Sequence, residues 1–186
     1  MQTATIFKLN TIGFIATSIS CYQGALRGMP WLGLAVFTLL MVIFLPFTDM
    51  KKERILLTII VGVIGFLLDS ILILFDIYTV NIDTRWLLPA SLCPEWILAL
   101  WLNFGFMLYI YWLILRRSYV VSGVIGIIFA FIIYGNAHWN GLLKLHRPAL
   151  VSILIIAVIW AVLIPVLTMF AIKFFSREVH HATQTK

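Results

Sequence analysis

The sequence predicts an all-α, polytopic transmembrane bundle of six spans, with both termini on the cytoplasmic side. Three observations predict it. The chain of 186 residues is 63% hydrophobic and only 11% charged, whereas about a quarter of the residues in a soluble domain are charged. Its mean hydropathy is +1.09. Its apolar residues fall into six stretches, near 5–24, 31–47, 55–75, 95–115, 119–134 and 149–175, and about 20 apolar residues in a helix cross the hydrocarbon of a bilayer. Residues 1–186 are therefore expected to form a single membrane domain. The balance of Lys+Arg 13 against Asp+Glu 7 gives a net charge of +6. On a membrane protein such an excess marks cytoplasmic loops, and with no basic stripe interleaved with aromatics the sequence excludes a nucleic-acid partner.

The first stretch is the least apolar, with Asn10, Thr11, Thr17, Ser18, Ser20 and Gln23 mixed in, so other helices are expected to shield it. Lys8 gives it the basic start of a signal peptide. No small-x-small cleavage site follows, and Ser18-Ile19-Ser20-Cys21 lacks the leucine of a lipoprotein signal, so the segment is expected to remain. Pro30 suits the first turn of the second span, which Trp31 begins. A charged loop, Asp49 to Arg54, separates it from the third.

The third span carries one acid, Asp69, inside an apolar run. Steps of three and four residues from Asp69 reach Gly65, Gly62, Ile73 and Asp76, a face made for packing on protein rather than lipid. An ionisable group inside a membrane is costly and normally points into the bundle, which makes Asp69 the first candidate for function. The loop from Asp76 to Pro94 is the longest, and long loops often carry function. Glu95 and Trp96 open the fourth span, where Trp96 and Asn103 share a face and Tyr109, Tyr111 and Trp112 form an aromatic belt before Arg116-Arg117. The fifth span reads as short, ending at Tyr134, with an exit loop from Gly135 through His138, Trp139, Asn140 and Gly141. Pro165 is expected to kink the sixth. A polar tail follows from Ser176.

Six spans place Lys8, Lys51, Lys52, Arg54, Arg116, Arg117, Lys173, Arg177 and Lys186 on the terminal side, against Arg27, Arg85, Lys144 and Arg147 on the other. The positive-inside rule then makes the terminal side cytoplasmic. In this topology the unusual polar residues collect at the outer ends of the spans: Asp69, Asp76, Glu95, His138, Asn140 and His146. Trp31, Trp86, Trp96 and Trp139 stand at the same level.

A pocket with acids at its floor and tryptophans at its rim would suit a lipid head group or another amphipathic small molecule. Asp69 is its expected centre, with Glu95 and Asn103 across from it. If the protein is an enzyme, Asp69 or Glu95 is the candidate general acid or base and His138 its partner; Trp31, Asp76, Trp96, Asn103 and Trp139 are candidate binding residues. A small transporter or channel using Asp69 as a proton or cation site is a second reading. A subunit that binds a partner membrane protein, or a second copy, through its glycine faces is a third. No ligand spacing such as a helical His-x-x-x-His indicates a metal site, His180 and His181 read as incidental, and no cofactor is implied. Cys21 and Cys93 fall on the outer side, where a disulfide is chemically permitted.

In this order, Pro30-Trp31-Leu32-Gly33, Leu67-Leu68-Asp69-Ser70, Pro94-Glu95-Trp96 with Leu100-Trp101, and Tyr134-Gly135 resemble a bacterial membrane family catalogued as domain of unknown function 2878. The resemblance covers most of the chain. It implies a compact helical bundle of the bacterial inner membrane without an assigned reaction, and leans toward membrane lipid metabolism.

Overall fold

The structure is a computed structural model that describes the backbone of residues 3–48, 50–115 and 118–184, and side chains over 7–48, 50–81, 83–108 and 118–173. The expectations for Asp49, the belt of Tyr109, Tyr111 and Trp112, the Arg116-Arg117 pair, Arg177, His180, His181 and Lys186 lie outside the described residues or side chains.

Six helices form: α1 (Thr3–Leu26), α2 (Leu32–Phe44), α3 (Lys51–Leu74), α4 (Glu95–Leu115), α5 (Tyr119–Trp139) and α6 (Ala149–Gln184). Three of them, Lys51–Leu74, Tyr119–Trp139 and the Ala149–Lys173 part of α6, are long and apolar enough to cross a membrane. The polar residues of α1 dilute its hydropathy, and α2 has only 13 residues before a 3-10 turn at Leu45–Phe47. Length and composition thus support three spans among the described residues, where the apolar stretches predicted six.

The helices pack as consecutive pairs, α1 on α2, α3 on α4 and α5 on α6, with α4 central and touching α1, α2, α3 and α6. Glycines set the close approaches. A Cβ on Gly62 or Gly65 would run into Leu102 or the Trp101 ring, and one on Gly105 would sit 2.8 Å from Val61, so α3 and α4 nest on each other's small residues. On α5, Gly126 lies against the Trp160 carbonyl. A Cβ on Gly123 would be 3.0 Å from the Ala161 carbonyl. That carbonyl is the one Pro165 leaves without its helical donor, yet α6 runs through Pro165 as one helix.

Two features depart from the sequence reading. First, α5 continues through Gly135 to Trp139. It ends only where Gly141, at φ 73°, lets its own N–H reach His138 O and that of Leu142 reach Ala137 O, the paired bonds of a Schellman cap. Second, two three-residue strands, β1 (Tyr78–Val80) and β2 (Leu143–Leu145), tie the α3–α4 loop to the α5–α6 loop. They pair antiparallel, Tyr78 opposite Leu145, Thr79 opposite Lys144 and Val80 opposite Leu143. This ribbon marks one end of the bundle, which we call the ribbon end.

At the other end, Arg54 is not a loop charge. It is 1% exposed, donates to Asn10 Oδ1 (2.6 Å), Thr48 Oγ1 (2.6 Å) and Phe106 O (3.2 Å), and lies 3.4 Å above the Phe106 ring.

Candidate functional site

Asp69 sits one turn below the ribbon end of α3 and is wholly buried. Three elements bring a donor to its carboxylate. Tyr78 of β1 and Tyr134 of α5 each donate a hydroxyl to Oδ1 at 2.6 Å, and Trp101 of α4 donates its indole N–H to Oδ2 at 2.5 Å. Among the described residues every hydrogen-bond partner of Asp69 is therefore a neutral donor. Burial, and then the nearby Asp69 charge, hold the Tyr78 hydroxyl well above its ordinary pKa, so it stays a donor. The rings around the carboxylate pack edge to face: Tyr78 with Tyr134 at 5.6 Å and Tyr134 with Trp160 at 6.0 Å. Beside Asp69, Ser70 Oγ accepts the Cys93 N–H at 3.0 Å, which ties the loop before α4 to α3.

Trp101 and Tyr134 also line a cleft of about 210 Å³, walled by α1, α4, α5 and Trp160 of α6. Ser18, Tyr22 and Asn136 are its polar members; Phe104 and Phe129 lie farther from the ribbon end. The Tyr22 hydroxyl joins α1 to α5 by donating to Ile133 O at 2.7 Å.

The other predicted residues lie elsewhere, and none is a hydrogen-bond partner of Asp69 among the described residues. The Glu95 carboxylate accepts the backbone N–H groups of Trp86 (3.2 Å), Leu87 (2.6 Å) and Leu88 (2.7 Å), so it orders the loop ahead of its own helix. Arg85 completes that loop by donating to the carbonyls of Pro89, Ala90 and Leu92. Asn103 faces α1, donating to Phe14 O and Ser18 Oγ. Trp96 is fully buried against Tyr22, with ring centroids 5.6 Å apart. His138 is exposed, with Nδ1 3.4 Å from Leu143 O. Trp139 is 90% exposed. Asp76 is exposed beyond the end of α3, and Trp31 shares a shallow groove along α2 with Trp86. Cys21 and Cys93 are buried free thiols. Among the described residues no group of His, Cys, Asp or Glu could hold a metal ion.

The fold and site define a helical protein, three of whose helices are long and apolar enough to cross a membrane, packed around the buried Asp69 and its neutral donors. The chain belongs to a protein family of unknown function, DUF2878, which it matches over residues 8–166. Neither a curated protein nor a solved structure matches it.

Proposed function

We propose that this is a six-span protein of the bacterial inner membrane, with both termini cytoplasmic, that binds or modifies a lipid or another amphipathic small molecule in the lateral cleft. One observation carries the reading: Trp101 and Tyr134, which hold the Asp69 carboxylate, also line the cleft. The polar centre and the apolar cavity thus share a wall. Asp69 is the central group and acts on an occupant through Tyr134 and Trp101. Asp76, His138 and Trp139, exposed at the ribbon end, would meet the polar part of a lipid lying against the bundle. Glu95 keeps the covering loop in place. With Arg54 turned inward, Lys8, Lys51, Lys52, Arg116, Arg117, Lys173, Arg177 and Lys186 still outnumber Arg27, Arg85, Lys144 and Arg147 in the sequence, which supports the orientation.

The transporter reading needs Asp69 within reach of water. Its complete burial under three side chains favours binding. The test compares, by mass spectrometry, lipid extracts of cells with the gene intact, deleted, or carrying Asp69→Asn. A lipid that vanishes or accumulates in both altered strains is the expected result. Unchanged lipids in both overturn the reading and turn the question to flux in proteoliposomes or to a partner membrane protein.

A further inference from the structure

We infer that the cleft takes a neutral, largely hydrocarbon molecule whose polar end is a hydrogen-bond donor such as a hydroxyl, and not a carboxylate or a phosphate. This rests on the lipid-binding reading above and narrows it to a ligand class. A polar end inside a membrane must find partners of the opposite hydrogen-bonding sense, because no water is there to supply them.

Among the described residues the cleft wall holds no Lys, Arg or His. Its donors are already engaged within the protein: Ser18 Oγ to Phe14 O at 2.9 Å, Tyr22 to Ile133 O at 2.7 Å, and Tyr134 and Trp101 to Asp69. A hydroxyl has one proton to give, so Ser18, Tyr22 and Tyr134 have none left. Trp160 Nε1 is buried beside the Tyr134 hydroxyl, so an occupant does not reach it. The amide N–H groups of Asn136 remain as donors, and Asn136 is exposed, near the ribbon end of α5.

The wall therefore offers an occupant lone pairs on the Tyr22 hydroxyl, on Ser18 Oγ and on Asn136 Oδ1, which already accepts one bond from Asn140 Nδ2 at 2.7 Å, beside a buried carboxylate. An anion there would meet no cation, a single neutral amide and a like charge. A hydroxyl would donate to those lone pairs. The lining also grades along the bundle: Asn136, Tyr22 and Ile97 lie toward the ribbon end, and Phe14, Phe104 and Phe129 deeper. From Ile97 to Phe104 the helix rises about 10 Å, so the donor end sits near the ribbon end and the hydrocarbon points inward.

The test uses the full chain in phosphatidylcholine nanodiscs at a pH of about 8. It is photolabelled with three probes sharing one diazirine-bearing dodecyl chain and ending in a hydroxyl, a methyl ether or a carboxylate. The expected result is that the alcohol labels the peptides holding Phe104 and Phe129 about threefold to tenfold more than the ether, the worth of one net hydrogen bond. The carboxylate labels them less than the ether. Excess unlabelled dodecanol removes the labelling, a control that needs no variant, and Leu100→Trp, which fills the cleft, removes it too. Equal, self-competed labelling by the carboxylate overturns the donor rule while leaving lipid binding standing. Absence of competed labelling by all three probes overturns both.

Discussion

Asp69 is solvated by three side chains that donate hydrogen bonds to it and accept none from it, so each partner is worth about one hydrogen bond while the acid holds all three together. Tyr78→Phe and Tyr134→Phe are each expected to cost about 1–2 kcal/mol in denaturant unfolding of the detergent-solubilised protein. Asp69→Ala strands three buried donors at once and is expected to cost about 3 kcal/mol or more. An Asp69→Ala no worse than either single phenylalanine would show that the donors find other partners. A second expectation concerns Cys93, whose thiol burial pushes well above its usual pKa, with Asp69's charge adding to the rise. Raising the pH from about 7 to about 9 should not speed maleimide labelling of the folded protein, while the unfolded chain, with an ordinary thiol, should label faster. Asp69 itself was legible in the sequence because a lone acid in an apolar run is too costly to stand there without polar partners inside the bundle. Its partners were not: Tyr78, Trp101 and Tyr134 belong to three elements, and each reads alone as packing or interface. Glu95 was misleading for a related reason. Its partners are backbone N–H groups, which leave no mark in the sequence. Arg54 was hidden among the charges of its loop, and nothing in that run distinguishes the one that turns inward.

The helices follow from apolar runs, but their ends depend on single residues. Asp76 ends α3 in the left-handed region at φ 57°, with its own N–H on Ile73 O and that of Ile77 on Leu72 O, where a glycine is usual. Asp76→Gly is expected to leave stability unchanged or raise it by up to about 1 kcal/mol, and Asp76→Val to lower it by about 1–2 kcal/mol. Thermal melts of the detergent-solubilised protein check both, and would also compare two glycines. Gly65→Ala should cost about 1–3 kcal/mol, because its Cβ meets the Trp101 ring that serves Asp69. Gly135→Ala, whose Cβ would lie 3.5 Å from Ile153, should be neutral or gain up to about 1 kcal/mol of helix propensity. Reading Gly135 as a helix stop placed the end of α5 too early, since a glycine ends a helix only when its φ turns positive, as at Gly141. The ribbon escaped for a different reason. Three residues per strand give no alternation to read, and the pairing joins loops distant in the chain.

At the scale of the whole molecule, crossing can be tested helix by helix. At about 1.5 Å per residue, α2 with its 3-10 extension is short for a bilayer, and α1 is polar along much of its length. Both pack on α4, as α3 does, and a helix shielded by neighbours can cross with fewer apolar residues than one facing lipid. Impermeant maleimide on intact cells separates the arrangements, because Cys21 and Cys93 are buried and silent. Six spans with the termini inside predict labelling of Arg27→Cys, Asn81→Cys and Lys144→Cys without permeabilisation, and of Lys52→Cys and Tyr119→Cys only after it. Each pair isolates one helix: Arg27 and Lys52 flank α2, Asn81 and Tyr119 flank α4. If Arg27→Cys is protected like Lys52→Cys, α2 does not cross. If Asn81→Cys and Tyr119→Cys label alike, α4 turns back within the membrane, and the Trp101 donor to Asp69 would then sit on a re-entrant segment rather than on a span.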